Sequence, residues 1–205
     1  YGHLIGRNGV RPDPAKFEAI QNMQPDNLQN LQTFLGMVNY LHRYSPKIAS
    51  VTAPLRDLCC KDREFVIGPE HLKAIQQTKD EITVHKNLPF YNHKEPLTLQ
   101  VDASLSGLGA PLIQKNGPIA FASKALAGAE TRYSNIERGM LGIVWGLEKF
   151  HHYVYGRNVL VETDHKPLES TAKKNLANVP PRLTLMLLRV QKYDTTIVYK
   201  PGKDI

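Results

Sequence analysis

The stretch LTLQVDASLSGLGAPLIQ, from Leu97 to Gln114, predicts a strand that ends at Asp102, a tight turn of serine and glycine, and a second strand that contains a proline. The alternation of apolar and polar residues in LTLQV is typical of a strand with one buried face. An aspartate at the end of such a strand is most simply a turn residue that caps its own backbone. Pro111 has no N–H to donate to a neighbouring strand, which predicts that the second strand is an edge or contains a bulge.

The segments around this stretch extend it to an α/β domain with a mixed sheet. Strand-like sequences follow at GPIAFAS, NVLVETD and DTTIVYK, and helical sequences lie near Asn135 to His152 and over PPRLTLMLLRVQKY. Three strands, a helix, a strand, a helix and a strand are an order typical of such a domain. Before residue 88, a hairpin with a turn at Asn8-Gly9 leads into a mainly helical segment. Four helices are predicted there. The first ends near Met23, and the second follows a cap at Asp26 or Asn27. The third runs from Thr52 to Cys60, and the fourth runs from Pro69 to about Val84.

Composition limits the classes of protein to which this chain can belong. Hydrophobic residues make up 41% of the 205 positions and charged residues 22%, which is the balance of a globular protein. Lysine and arginine total 26 against 19 aspartate and glutamate, and the net charge of +7 favours a polyanionic partner such as nucleic acid. The adjacent Cys59 and Cys60 suit neither a disulfide framework nor a CxxC zinc site. They indicate an intracellular, reducing compartment.

Two further expectations, about membrane partners and about a longer protein, follow from the apolar runs and the first residue. No apolar run approaches the roughly 20 residues that a membrane helix needs, and YGHLIGRNG lacks the layout of a signal peptide, so no membrane partner is expected. Because the chain begins with Tyr1 and not with Met, we expect it to be a piece of a longer protein.

Three acidic residues stand where sheet edges and helix starts are predicted, and each has a simple structural explanation. Asp102 suits a turn, as described above. Glu137 completes an S-x-x-E capping box with Ser134 at the start of a helix. Asp164 follows the strand NVLVET and suits the N-cap of the next helix. Taken one at a time, none of the three requires a functional role.

Their joint arrangement favours a metal site over three separate caps. Carboxylates at the ends of strands and at the start of a neighbouring helix can converge on one edge of a sheet, where they repel one another unless a cation is present. Oxygen ligands without histidine or cysteine suit Mg²⁺ or Mn²⁺. Two such ions, about 3.5–4 Å apart, are suited to in-line attack on a phosphodiester.

Five blocks of sequence stand in order and nearly without gaps between about residues 88 and 205: QVDAS, GPIAFASKAL, ETRYSNIERGMLGIVWGLEKFHHYVYGR, ETDHKPLES and RLTLMLLRVQKYDTTIVYKPGK. Together they resemble the ribonuclease H domain of gypsy-type long-terminal-repeat retrotransposon polyproteins. Upstream, GHLIGRNGVRPDPAKFEAIQNM resembles the last palm strands of the reverse transcriptase in such polyproteins. LQTFLGMVNYLHRYSPKIASVTAPLRDL resembles the thumb and connecting segment that follows.

The resemblance implies a palm remnant at residues 1–24, a helical thumb and connection at 25–87, and a ribonuclease H-like domain at 88–205 that is truncated at its C-terminus. The implied fold is α/β (α+β), a five-stranded mixed sheet with flanking helices. Asp102 in VDAS, Glu137 in YSNIE and Asp164 in TDHK match the first three acidic positions, which bind two Mg²⁺ ions. The implied activity is endonucleolytic hydrolysis of RNA in RNA/DNA hybrids, with a 3′-hydroxyl and a 5′-phosphate as products. The polymerase part of the same polyprotein is an implied partner.

Basic side chains late in the chain are the implied contacts to the hybrid. The candidates for phosphate contacts are Arg182, Arg189, Lys192, Lys200 and Lys203. A solvated helix face or strand end is the simpler explanation for any one of them. His165, directly after Asp164, is either an auxiliary residue of the metal site or a cap of the following helix.

The sequence also departs from the family pattern. The fourth acidic ligand of the family, in an A-D-x-L-S-like motif after Y-x-P-G-K, is expected beyond Ile205, and the Y-x-D-D motif of the polymerase is absent, so no DNA synthesis is expected from these residues. Pro111, Gly142 and Gly146 replace the usual residues, and a glycine inside a helix costs about 1 kcal/mol relative to alanine. These departures suggest an eroded copy. Two interpretations follow: an active ribonuclease H, or a non-catalytic or domesticated remnant that binds nucleic acid or another partner.

Overall fold

A computed structural model gives the structure of residues 3–60, 64–83 and 87–202. The chain divides into two compact units, residues 1–90 and residues 91–205. Within those described ranges, no helix combines the length and the apolar character that a membrane span requires. The three segments that the resemblance implies, with bounds at residues 24 and 87, stay a prediction.

The first unit begins with a hairpin and continues as helices. Strands β1 (His3–Gly6) and β2 (Gly9–Pro12) pair antiparallel with Gly6 opposite Gly9, so the turn is Arg7-Asn8, one residue earlier than predicted. The helices are α1 (Pro14–Asn22), α2 (Leu28–Tyr40), α3 (Ile48–Val51), α4 (Ala53–Asp57) and α5 (Pro69–Thr83). A mainly helical segment is therefore confirmed, although α4 is shorter than the predicted helix. The predicted end of the last helix at Val84 lies outside the described residues.

Helix α2 illustrates how the local sequence produces these elements. The side chain of Asn27 accepts a hydrogen bond from the backbone N–H of Asn30 at 2.8 Å, which satisfies a donor that the helix itself leaves without a partner. Leu31, Phe34 and Val38, at steps of three and four, are fully buried. Of the two predicted caps, Asn27 is the one observed, and the helix predicted to follow it is confirmed.

A five-stranded mixed sheet organises the described part of the second unit. Its strands are β3 (Leu97–Ala103), β4 (Gly107–Gln114), β5 (Gly117–Ala125), β6 (Asn158–Thr163) and β7 (Asp194–Tyr199), in the spatial order β5-β4-β3-β6-β7. Strands β3, β4 and β5 are antiparallel neighbours, whereas β6 runs parallel to both β3 and β7. The predicted fold class is confirmed.

The helices of the second unit include one long helix that packs on the sheet. The helices are α6 (Asn135–Lys149), α7 (His151–Val154), α8 (Lys166–Ala172) and α9 (Pro181–Val190). Leu99 and Val101 of β3 belong to the same buried core as Ile143 and Leu147 of α6. Burial of side chains of this size contributes roughly 1.5–3 kcal/mol each. This core holds α6 in place across the sheet.

Two glycines allow α6 to lie close to β3. A Cβ at Gly142 would lie 2.6 Å from Cγ1 of Val101, and a Cβ at Gly146 would lie 3.2 Å from Cδ2 of Leu99. Because a packed interior has no space for such an overlap, alanine at Gly142 would force the helix or the sheet to shift. We therefore replace the interpretation of these glycines as signs of erosion with a role in packing.

Pro111 lies in an interior strand, so the predicted edge strand was wrong, whereas the alternative, an irregularity of the strand near the proline, is confirmed. Strand β4 pairs with β5 along its whole length, with a register shift between Leu112 and Ile113. On the β3 side, the paired positions skip Pro111 and Ala110. The fold thus accommodates the missing N–H by a local gap in one ladder and a register shift next to it.

Candidate active site

Asp102 and Asp164 lie at the same edge of the sheet. In the parallel pair of β3 and β6, Val101 pairs with Thr163, and each aspartate is the residue that directly follows. Both aspartates are exposed. Because parallel strands end at the same edge and lie about 4.8 Å apart, the backbones of the two aspartates are neighbours. The structure thus brings these two predicted residues together.

The turn after β3 is built by Ser104. Its Oγ accepts hydrogen bonds from the backbone N–H groups of Ser106 at 3.2 Å and of Gly107 at 2.9 Å. The Ser104 hydroxyl also donates to the carbonyl oxygen of Gly107 at 3.0 Å. Asp102 lies two residues earlier, inside β3 and opposite Gly109. Asp102 is therefore a residue of the strand and lies outside the turn that Ser104 builds.

Asp164 precedes α8 without being its N-cap. The N-cap position belongs to His165, whose side chain makes no capping hydrogen bond to the described backbone. The N–H of His165 instead donates to Oγ1 of Thr163 at 3.3 Å. A Cβ at Gly202 would lie 3.6 Å from Oδ2 of Asp164, so the chain after β7 passes beside this carboxylate. The alternative explanation of Asp164 as an N-cap was wrong.

Glu137 lies in the first turn of α6, where both of its carboxylate oxygens have donors. Ser134 is the N-cap: its N–H donates to Oε2 of Glu137 at 2.9 Å and its Oγ accepts from the N–H of Glu137 at 3.4 Å, which together form the predicted capping box. The Ser134 hydroxyl also donates to Oε2 at 3.0 Å. Oε1 accepts from Nη1 of Arg182 at 2.8 Å. The Ser134 N–H first, and then the Ser134 hydroxyl and Arg182, hold the pKa of Glu137 below its ordinary value. Glu137 is therefore a stably ionised carboxylate.

The first half of α6, which carries Glu137, passes close to the residues that flank the two aspartates. A Cβ at Gly139 would lie 3.5 Å from Cβ of His165, the residue after Asp164. Further along the helix, Gly142 packs against Val101, the residue before Asp102. The beginning of α6 therefore crosses the carboxyl ends of β3 and β6.

The three carboxylates have the donor chemistry of a site for Mg²⁺ or Mn²⁺, because they offer hard oxygen ligands and no thiolate. Among the residues that the structure describes, no group of three or more His, Cys, Asp or Glu stands close enough together to hold a metal ion. Both oxygens of Glu137 are bonded, one to Ser134 and the other to Arg182. A site that uses all three carboxylates therefore requires a change of side-chain conformation, and release of Glu137 from Arg182 would be part of that change.

Three of the predicted basic contacts are engaged by glutamates: Arg182 by Glu137, as described above, and Arg189 and Lys200 by two others. Arg189 donates from Nε at 2.9 Å and from Nη2 at 2.7 Å to the two oxygens of Glu148. Lys200 lies 3.1 Å from Oε2 of Glu162. Its backbone N–H also donates to the carbonyl of Thr163 at 2.9 Å, which places Lys200 at the same edge as the aspartates.

Arg182 faces solvent in spite of its bond to Glu137, and Lys192 is also exposed. The guanidinium carbon of Arg182 lies 4.7 Å from the centre of the Tyr133 ring, and the side chain of Arg182 is 54% exposed. Lys192, just after α9, is exposed. Lys203 lies outside the described residues.

Sequence reasoning missed the polar contacts that join distant segments around this edge. Gln100 donates to Oε2 of Glu162 at 2.8 Å, and Lys200 reaches the same oxygen. The register of β3 and β6, in which Gln100 faces Glu162, would have indicated this contact once the strands were paired. No local spacing rule indicates the bond between Glu137 and Arg182, because 45 positions separate them.

The fold is ribonuclease H-like, and solved structures share it. A foamy viral protease-reverse transcriptase in complex with an RNA/DNA hybrid has a TM-score of 0.81 at 21% identity, with 98% of this chain and 28% of that chain covered. A foamy viral protease-reverse transcriptase in complex with dsDNA has a TM-score of 0.79 at 20% identity, with 98% and 44% covered.

The family follows from sequence. Residues 92–193 match the family described as the RNase H-like domain found in reverse transcriptase. The chain is 32% identical to the retrovirus-related Pol polyprotein from transposon 297 of Drosophila melanogaster, and 28% identical to the one from transposon gypsy of the same species. These matches cover 99% of this chain but 19% and 21% of the relatives. The transposon Tf2-3 polyprotein of Schizosaccharomyces pombe is 29% identical, with 98% of this chain and 16% of the relative covered.

Residues 92–193 therefore belong to the ribonuclease H-like domains found in reverse transcriptase, and the resemblance of the chain to gypsy-type retrotransposon Pol polyproteins is confirmed. It spans about a fifth of the length of these relatives.

Proposed function

We propose that this chain carries the ribonuclease H activity of a reverse-transcribing polyprotein, the endonucleolytic hydrolysis of the RNA strand in RNA/DNA hybrids. The observation that carries the proposal is the placement of Asp102 and Asp164 at adjacent ends of parallel strands, with Glu137 on the helix that crosses them. Membership of the ribonuclease H-like family supports it. So does the likeness to a foamy viral protease-reverse transcriptase that was solved with an RNA/DNA hybrid.

In this proposal Asp102 and Asp164 form the fixed part of the site. The backbones of β3 and β6 place them side by side, and carboxylates that converge in this way require a cation to balance their repulsion. Glu137 joins them from the first turn of α6, and His165 is an auxiliary residue beside Asp164. When bound, two Mg²⁺ or Mn²⁺ ions would supply an activated water and neutralise the charge that develops on the phosphate.

The hybrid would be held by its phosphates and its shape. Arg182 and Lys192 are the proposed phosphate contacts, because both side chains reach solvent. Lys200 adds positive charge at the edge that carries the aspartates, whereas Arg189 remains with Glu148. The RNA strand would be distinguished by its 2′-hydroxyl groups. The polymerase part of the same polyprotein is the proposed protein partner.

Cleavage of a labelled RNA/DNA hybrid by the 205-residue chain with Mg²⁺ tests the proposal. Asp102→Asn should reduce the rate by about 100-fold or more, because stabilisation by a bound cation is worth several kcal/mol. Asp194→Asn is the matched control: Asp194 is exposed at the opposite end of the parallel strands, where β7 begins, so the rate should stay within about twofold of the unchanged chain. Equal rates for Asp102→Asn and Asp194→Asn would reject the site.

A non-catalytic hybrid-binding module is the second candidate, and the engagement of Glu137 by Arg182 favours it. If Arg182 keeps Glu137 permanently, the two aspartates alone would hold a cation weakly. Calorimetry with Mg²⁺ would then show no specific site, while hybrid binding would persist with a steep dependence on salt. Saturable Mg²⁺ binding that Asp102→Asn abolishes would count against this candidate.

A further inference from the structure

Arg182 is the solvent-facing partner of an ion pair at the candidate active site. It lies at the start of α9, and its guanidinium reaches the first turn of α6. The side chain of Arg182 is 54% exposed, whereas that of Glu137 is 18% exposed. The arginine is therefore accessible to an anion from solution, and the glutamate is largely covered.

Most of the donors of Arg182 stay available to such an anion. Among the described residues, Arg182 makes one hydrogen bond, to Oε1 of Glu137, whereas a guanidinium has about five N–H donors. The contact with the face of Tyr133 orients the guanidinium without using these donors. A phosphate can accept two parallel N–H bonds from a guanidinium, which is a stronger interaction than a single bond. A backbone phosphate is therefore an effective competitor for Arg182.

Two cations also compete for Glu137: the guanidinium of Arg182 and a divalent metal ion. While Oε1 is bonded to Arg182 and Oε2 to Ser134, neither oxygen is fully available to a divalent cation. A guanidinium at 2.8 Å also repels a second positive charge at the same carboxylate. Transfer of Arg182 from Glu137 to a phosphate would remove both obstacles at once.

We infer, on the basis of the proposed function, that Arg182 is a counter-ion switch for Glu137: it holds the carboxylate until a phosphate of the nucleic-acid backbone replaces it, and the carboxylate then becomes a ligand of the divalent cation. The switch couples the two binding events. A cation that captures Glu137 releases Arg182 for phosphate, and a phosphate that captures Arg182 releases Glu137 for the cation, with the same coupling free energy in both directions. Bound nucleic acid therefore favours formation of the complete site.

The first test needs no metal. Hybrid affinity is measured by fluorescence anisotropy in EDTA for the 205-residue chain, for Glu137→Gln, for Arg182→Gln and for the double variant. Glu137→Gln should tighten hybrid binding about twofold to fivefold, the range expected for release of a partly exposed ion pair. In the Arg182→Gln background this gain should fall to less than half. Arg182→Gln alone should weaken binding and lower the salt slope by about 1.

The second test uses Mg²⁺ alone, by isothermal titration calorimetry without nucleic acid. Arg182→Gln should raise the Mg²⁺ affinity about twofold to fivefold, because the competitor for Glu137 is gone. Arg189→Gln is the matched control, since it removes the same charge from the same helix at a different glutamate, and it should leave the affinity unchanged. A merely structural role of Arg182 would lower thermal stability without raising the affinity.

The outcomes separate this inference from the function on which it rests. An Arg182→Gln chain with unchanged Mg²⁺ affinity overturns the switch, while cleavage that Asp102→Asn abolishes leaves the proposed function in place. A gain in Mg²⁺ affinity that persists in the Glu137→Gln background also overturns it, because the gain would then reflect net charge and not competition. A chain that neither binds Mg²⁺ nor cleaves the hybrid overturns both.

Discussion

Two arginine–glutamate pairs join α9 to α6, and they differ in what else the glutamate contacts. Near the sheet edge, Arg182 gives Glu137 one hydrogen bond, and the carboxylate also accepts two bonds from Ser134. At the other end of α6, Arg189 gives Glu148 two bonds, one to each oxygen. The first glutamate is 18% exposed and the second 39%. At one end of α6, the carboxylate is mostly covered and accepts bonds from both Ser134 and Arg182. At the other end, Glu148 and Arg189 form a bidentate pair on the surface.

Because of this difference, Arg182 can exchange Glu137 for another partner, whereas Arg189 and Glu148 already satisfy each other. A bidentate pair on the surface satisfies both partners and contributes at most about 1 kcal/mol to stability. The single bond from Arg182 leaves most donors of the arginine available, and Glu137 lies on the helix that crosses the ends of the strands that carry the two aspartates. We expect substitutions in the first pair to alter chemistry and binding, and substitutions in the second pair to alter little more than local stability.

The largest expected difference between the two ends is in the cleavage of an RNA/DNA hybrid with Mg²⁺. Glu137→Gln removes a proposed cation ligand and should lower the rate about 100-fold or more. Glu148→Gln makes the same chemical change on the same helix, away from the aspartates, and should leave the rate within about twofold. Equal losses in the two variants would mean that the pairs do not differ in function and would remove Glu137 from the proposed site.

A second, intermediate effect concerns the close approach of α6 to β3. Gly142→Ala places a Cβ 2.6 Å from Val101 and should destabilise the second unit by about 1–3 kcal/mol in urea. The fluorescence of Trp145, the one tryptophan of the sequence, reports this unit because Trp145 lies in α6.

Gly36→Ala in α2 is the control for this effect. Nothing described lies within 4 Å of the added Cβ, and the helix should gain up to about 1 kcal/mol, measured by circular dichroism. If Gly142→Ala also stabilises the protein, α6 does not need the glycine, and the interpretation of the glycines as a sign of erosion returns.

The sheet and the long helix were predictable because their signals are local. Alternating residues in LTLQV and the S-x-x-E box of Ser134 and Glu137 indicate where β3 and α6 lie without knowledge of distant residues. The place of β4 in the sheet was not predictable in this way. Pro111 removes one donor, and whether a neighbour needs that donor depends on a strand order that local sequence does not contain.

The site was predictable as a set of residues but not as a set of contacts. The ends of two strands and one helix start indicated Asp102, Asp164 and Glu137, and the structure places them on neighbouring elements. Their assignment as metal ligands stays a prediction. The partner of Glu137 was not predictable, because a basic residue in a helical segment suits solvent, phosphate or a carboxylate equally well, and packing of α9 on α6 decides among them.

The smallest expected effect is on acid stability, and it shows which arginine acts on Glu137. The Ser134 N–H first, then the Ser134 hydroxyl and Arg182, lower the folded-state pKa of Glu137. A carboxylate with a lowered pKa contributes stability above its ordinary pKa of about 4.3 and loses that contribution as the pH falls through the folded value. Urea unfolding between about pH 3 and pH 7 should therefore show a flatter acid limb for Glu137→Gln than for the unchanged chain. Arg182→Gln should flatten this limb in part, whereas Arg189→Gln should leave the contribution of Glu137 as it is; an equal effect of the two arginine variants would place the origin of the lowered pKa in the overall charge and not in the pair.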